Sequence, residues 1–182
     1  MNNPAKLSRQ GRRAFLRFIL PTVALAAALH ITGCAGYRLG SSLPPDIASV
    51  HVPAFSNDTG EPLIESDATR ATIQEFQRDG TLRVLDKDEA DILLEVTLVD
   101  FELEPLRYDR DETKSAVEYR MRIKADILLT RRVSGEVMTK RRVAGETFFD
   151  FTGDMGTSKR TALPLATADL AHDIVESVVE YW

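Results

Sequence analysis

The sequence predicts an α+β fold of two layers, an antiparallel-rich β-sheet of four to five strands with two α-helices on one face. Three observations predict it. Between residues 117 and 130, Val117, Tyr119, Met121, Ile123, Ala125, Ile127 and Leu129 alternate with the charged Glu118, Arg120, Arg122, Lys124 and Asp126, the period of a half-buried antiparallel strand with one wet face. Two other segments, beginning near Pro62 and near Leu163, repeat apolar residues every three or four positions, which is the spacing of a helix face. Two helices cannot cover both sides of such a sheet, so they share one side and leave the other to water.

The first 33 residues stand outside this domain. Lys6, Arg9, Arg12, Arg13 and Arg17 form a positive head without acids, followed by the apolar run 18–29 (FILPTVALAAAL). That run is shorter than the about 20 apolar residues of a bilayer span, and a positive head with a short apolar middle reads as a secretory signal peptide. Residues 11–16 (GRRAFL) fit a twin-arginine export signal and equally the positive head of the general secretory route. Ile31-Thr32-Gly33-Cys34 resembles the bacterial lipobox, in which the cysteine is diacylglycerylated and the chain is cut before it. Residues 1–33 are thus expected to be a lipoprotein signal peptide, 34–46 a lipid anchor and tether, and 47–182 a single domain. Ala35 after Cys34 favours onward sorting to an outer membrane, by analogy with other lipoproteins.

Within the domain, residues 47–55 (IASVHVPAF) are a β-branched run, and Pro53, which cannot donate a ladder hydrogen bond, places this strand at an edge or ends it. Residues 57–60 (NDTG) are a turn. A helix follows, with Pro62 as its first residue, Gly80 just past its end, and Ile64, Ala68, Thr72 and Phe76 on its apolar face. Residues 81–85 form a short strand, 86–90 a charged turn and 91–106 a long strand. The alternation in that strand changes phase, with Ile92, Leu94, Val96 and Leu98 on one face and then Phe101 and Leu103 on the other. Such a slip points to a bulge near Val99 and Asp100. Residues 107–116 read as a polar loop. The strand at 117–130 returns through Ser134-Gly135 as a hairpin with 136–149. Residues 151–158 read as a Gly-containing loop, and Leu163, Ala166, Leu170, Ile174, Val178 and Tyr181 mark the second helix.

The residues carry no recognisable catalytic apparatus, and no enzyme is read. Beyond Cys34 the histidines are His51 and His172, without a second imidazole at metal-ligand spacing. There is no G-x-S-x-G, phosphate loop or dinucleotide fingerprint. Cys34 is the single cysteine, so neither a disulfide nor a cysteine metal site is expected, and no cofactor is implied.

Charge placement is more informative. All five bases of the leader fall before Phe18, so from Cys34 onward 18 bases face 28 acids. Against that background residues 117–149 hold eight bases (Arg120, Arg122, Lys124, Arg131, Arg132, Lys140, Arg141 and Arg142) and four acids. Arg120, Arg122 and Lys124 share the face opposite the core. They can bind a phosphorylated or carboxylated ligand, or they can pair with acids on neighbouring strands as an ordinary wet face. Export makes nucleic acid an implausible partner.

The order of several short motifs resembles the LptE family. The lipobox is followed by Gly36-Tyr37-Arg38-Leu39 and Leu43-Pro44-Pro45, then a strand ending Val52-Pro53-Ala54-Phe55. Further on stand Glu75-Phe76-Gln77-Arg78-Asp79-Gly80, Ala116-Val117-Glu118-Tyr119 and Phe148-Phe149-Asp150. The resemblance implies a non-catalytic outer-membrane lipoprotein, lipid-anchored at Cys34. It implies a complex with an LptD-like β-barrel, as a plug inside it, and contact with lipopolysaccharide during its assembly into the outer membrane. It also implies a sheet with two helices on one side. Family members are thought to use bases in the loop before the hairpin and in the loop after Phe-Phe-Asp. The nearest here are Arg110 and Lys114, then Lys159 and Arg160, with Arg120, Arg122 and Lys124 as further lipopolysaccharide-binding candidates. The competing expectation is a different periplasmic lipoprotein that activates or adapts a cell-envelope synthase.

Overall fold

The computed structural model describes residues 43–108 and 116–180. Eight elements follow one another: β1 (Ser49–His51), β2 (Ser56–Asn57), α1 (Ile64–Asp79), β3 (Arg83–Val84), β4 (Ile92–Tyr108), β5 (Ala116–Arg131), β6 (Val137–Asp150) and α2 (Met155–Val179). They form one six-stranded sheet in the order β3-β1-β4-β5-β6, with β2 also paired to β4. β1 is parallel to β3 and β4, and β2 is parallel to β4, while β4, β5 and β6 are antiparallel. The sheet is therefore mixed and has six strands, not four to five. The extra strand is β2, which lies just past the segment read as one first strand and takes in Asn57 of the expected turn, while the first-strand segment itself is paired only at Ser49–His51, before Pro53. The connection through α1 brings β3 back parallel to β1, the usual outcome of a strand–helix–strand unit.

The long strands follow their alternation. Met121, Ile123, Ala125, Ile127 and Leu129 of β5 are buried, as are Ile92, Leu94, Val96 and Leu98 of β4. The register slips between Leu98 and Asp100, so Val99 is an extra residue at the expected bulge. Because of it, Phe101 pairs with Ile123 and Leu103 with Met121, which keeps both on the core side. Arg107, Tyr108 and Ala116, placed in a loop by their polarity, belong to β4 and β5. Residues 109–115 between them lie outside the described residues.

Both helices bury the expected faces in a single cluster. Ile64, Ala68, Thr72 and Phe76 of α1 are buried, and so are Ala166, Leu170, Ile174 and Val178 of α2. Tyr181 lies outside the described residues. α2 begins earlier than its apolar pattern suggests, within the segment read as a loop. Asp154 caps it, its carboxylate accepting from the Thr157 N–H at 2.6 Å, and Pro164 lies inside it. No helix among the described residues is long and apolar enough to cross a membrane.

α1 starts two residues after Pro62, at Ile64, and ends at Gly80, whose left-handed backbone (φ 77°) lets its N–H reach the Phe76 carbonyl. Its other end is strained. Leu63 caps it at φ 69° without a side-chain cap, in a region that disfavours a Cβ, and is 71% exposed. Replacing Leu63 by Gly removes that clash and little packing. The expected result is a gain of about 0.5–1 kcal/mol in a urea titration; a loss of stability would show that the side chain holds the turn.

Candidate functional site: the charged sheet face

The face of the sheet opposite α1 and α2 is set by β4, β5 and β6, whose outward residues pair across strands. Lys124 donates to Asp100 at 2.8 Å and to Glu102 at 3.1 Å. Arg120 pairs with Glu104, and Arg142 grips Asp126 through two nitrogens at 2.6 and 2.8 Å. Arg107 bridges Glu118 at 3.0 Å and Asp150 at 3.4 Å. Near the hairpin turn, Arg131 reaches Asp46 and Glu136. The bulge at Val99 makes this possible, since it turns Asp100, Glu102 and Glu104 onto the same face as Lys124, Arg122 and Arg120.

The shifts in acidity follow this pairing. The hydrogen bond from Lys124 holds the Asp100 carboxyl below its ordinary value of 3.8, and the Arg142 guanidinium does the same for Asp126. Arg131 lowers Asp46, the Ser49 hydroxyl lowers Asp91, and Thr157 lowers Asp154. Carboxyls with depressed folded values contribute stability that is complete above the unfolded value and is lost as pH falls through the folded one. Acid should therefore destabilise the domain below about pH 3.8. Asp173 runs the other way, because burial and the neighbouring Asp169 and Glu176 raise it. Asp173→Asn should thus gain stability at neutral pH, with the gain fading as pH drops through the raised value. Urea titrations of both proteins at pH 7 and pH 4 decide it; equal gains at the two pH values would reject the charge argument.

The candidate bases fall into three groups. Arg110 and Lys114 lie outside the described residues. Arg120 and Lys124 are held by carboxylates of β4; Arg122 is less committed, with Glu146 4.0 Å away and no hydrogen bond to its buried Nε. Lys159 is tied down, 2.7 Å from Glu61 and 5.8 Å from the centre of the Phe101 ring, whereas Arg160 is exposed. The structure thus brings Arg120, Arg122 and Lys124 together on one face. Sequence reasoning missed Arg107 as a member of that face, because its polar neighbours read as a loop. The glutamates and aspartate opposite these bases were visible in the long strand, but their register against β5 depends on the bulge.

A groove of about 580 Å³ crosses the face near β2, bordered by Pro53, Ser56, Glu95, Thr97, Asp126 and Lys140. Among the described residues no group of three or more His, Cys, Asp or Glu side chains is placed to hold a metal ion.

Comparisons with known proteins bear on this architecture. A family model described as LptE, lipopolysaccharide-assembly, matches residues 47–180. No curated protein is matched by the sequence. Among solved structures, protein XCC0632 from Xanthomonas campestris superposes with a TM-score of 0.55 at 10% identity, over 76% of this chain and 87% of that one. The hypothetical protein CT253 from Chlamydia trachomatis gives 0.54 at 8% identity, over 74% and 97% of the two chains. These two likenesses concern the fold alone.

Proposed function

The chain belongs to the LptE lipopolysaccharide-assembly family, and from that premise we propose that it is an outer-membrane lipoprotein anchored through Cys34. In this reading it faces the periplasm or sits in the lumen of an LptD-like β-barrel, forms a complex with that barrel, and binds lipopolysaccharide without catalysis during its transport and assembly. The family match over residues 47–180 is the observation that carries the reading. The ion-paired sheet face supports it. A domain enclosed in a water-filled lumen needs a face that stays wetted rather than one that seeks an apolar partner, and cross-strand pairs provide that while keeping the strands in register. Neither the fold nor the family match favours an activator of a cell-envelope synthase.

The test is a mild-detergent pull-down of the tagged, lipidated chain from its own host. A near-stoichiometric large β-barrel, with lipopolysaccharide in the eluate, is the expected result. A synthase in its place, or the lipoprotein alone, would overturn the complex.

Lipopolysaccharide contact is proposed for Arg110 and Lys114, which lie outside the described residues, for Lys159 and Arg160 near the start of α2, and for Arg120, Arg122 and Lys124 on the charged face. Lys159 already neutralises Glu61, so reversing it also breaks a structural pair. Arg160→Glu is the cleaner variant. It should weaken lipopolysaccharide binding several-fold, an effect on the order of 1 kcal/mol for one exposed charge-assisted contact, and leave the thermal midpoint unchanged. Unaltered binding would remove Arg160 from the site.

A further inference from the structure

The outer edge of β6 differs from the rest of the charged sheet. β6 ends the sheet, so on one of its sides no described strand lies beside it. The Glu146 N–H points out on that side and is met by the Asp169 carboxylate of α2 at 2.8 Å. Backbone groups alternate along a strand, so those of Ala144, Arg142 and Lys140 point outward in the same sense. The pairing of β5 with β6 is regular from Thr139 to Asp150. No described residue meets the outward groups of residues 140–144.

The side chains there are equally unanswered. Of the eight bases in residues 117–149, Arg120, Arg122, Lys124, Arg131 and Arg142 face a carboxylate, and Arg132 donates to the Ala90 carbonyl. Lys140 and Arg141 are exposed and make no hydrogen bond or salt bridge among the described residues, although the Lys140 charge adds to the effect of Arg142 in holding the Asp126 carboxyl low. The nearby Asp126 is taken by Arg142. Two cations without a contact partner among the described residues therefore sit on this edge of a domain with a ten-charge acidic excess after Cys34. Register places Lys140 beside Leu128, on the charged face, and Arg141 beside Ile127, on the helix side. The two flank the edge from opposite faces.

We propose that the 140–144 edge of β6 receives an extended acidic segment of the partner protein as an added strand. Main-chain hydrogen bonds supply the pairing, and acids at adjacent positions of the incoming strand, one for each face, meet Lys140 and Arg141. The same cations guard against self-association, because pairing two copies edge to edge sets like charges against each other. Asp169 occupies the Glu146 N–H and limits the open stretch at one end. The inference rests on the barrel complex proposed above and specifies where a segment of that partner lies.

Photo-crosslinking in the host tests it, with a benzoylphenylalanine at Thr139 or Ala144 of the full lipidated chain and a control at the exposed Leu165 of α2. The expected adduct joins the edge positions to the co-purifying barrel. Mass spectrometry should place it in a segment with adjacent acids. K140E/R141E should cut the adduct five-fold or more, and A144P, which removes an outward N–H and keeps the charges, should cut it as well. A barrel that co-purifies without edge adducts overturns the strand proposal and leaves the complex standing. Adducts carrying only lipopolysaccharide, or a second copy of this chain, also overturn it. If wild-type chain brings down no barrel, the complex itself fails.

Discussion

Gly145→Ala is expected to destabilise the domain by about 3 kcal/mol or more, and Gly145→Val to prevent folding, because overpacking of this kind has no route to relief. A Cβ on Gly145 would lie 2.2 Å from the Leu170 nitrogen, 2.5 Å from its Cα and 2.6 Å from the Ala166 carbonyl oxygen. All three are backbone atoms of α2, so no rotamer change can make room and the helix must lift off β6. The glycine is required here for space and not for its conformational freedom. Lifting the helix would also withdraw Asp169 from the Glu146 N–H, opening more of the β6 edge. Equilibrium urea unfolding followed by far-UV circular dichroism measures the effect. A Gly145→Ala protein within about 0.5 kcal/mol of the parent would mean that α2 sits farther from the sheet than described.

Phe76→Ala should cost about 3–5 kcal/mol, the range for emptying a buried aromatic site. Phe76 is fully buried on the last turn of α1, and its carbonyl receives the Gly80 N–H that closes the helix. The substitution keeps that backbone bond and removes only the ring, so the loss reports the packing of α1 into the shared core. A domain of this size has about 5–15 kcal/mol in total, so the variant should unfold at markedly lower urea concentration with little change in slope. A loss below about 1 kcal/mol would indicate that neighbouring side chains collapse into the space. Failure to bind a barrel in this variant would follow from unfolding and say nothing about the sheet face.

The parts of the fold that were legible are those whose pattern is long enough to establish a period. β5 alternates from Val117 to Ile127, so its faces and its pairing with β6 could be read directly. The bulge was legible for the same reason, since two well-phased halves of β4 disagree at Val99. Of the short strands, two fall inside segments read as strands, at 47–55 and 81–85, whereas Ser56–Asn57 was not expected and the parallel pairing of all three was not legible. Ser49–His51, Ser56–Asn57 and Arg83–Val84 are too brief to show a period, and their parallel pairing is decided by the path of α1. The start of α2 was hidden because Gly153, Gly156 and Pro164 carry loop-like composition, while the cap at Asp154 acts through one local hydrogen bond. At the candidate site the bases could be named from sequence, but their availability could not. Lys124 and Arg142 are engaged by acids from other strands, and Lys140 and Arg141 are left over only once that pairing is counted.

The bulge at Val99 also determines which changes of length β4 can absorb. A strand paired along its length reads like a message in a two-letter frame, and losing one residue inverts every side chain beyond the loss. In β4 the frame is already offset by one at residues 99 and 100. Removing Val99 would therefore restore a continuous alternation, with Leu98 and Phe101 still inward and Asp100 still facing Lys124. A single deletion elsewhere between Ile92 and Leu98 would turn apolar side chains to water. Length variation among relatives of this chain should accordingly gather at this one point of the strand, where the sheet can gain or lose a residue without exchanging its inside for its outside.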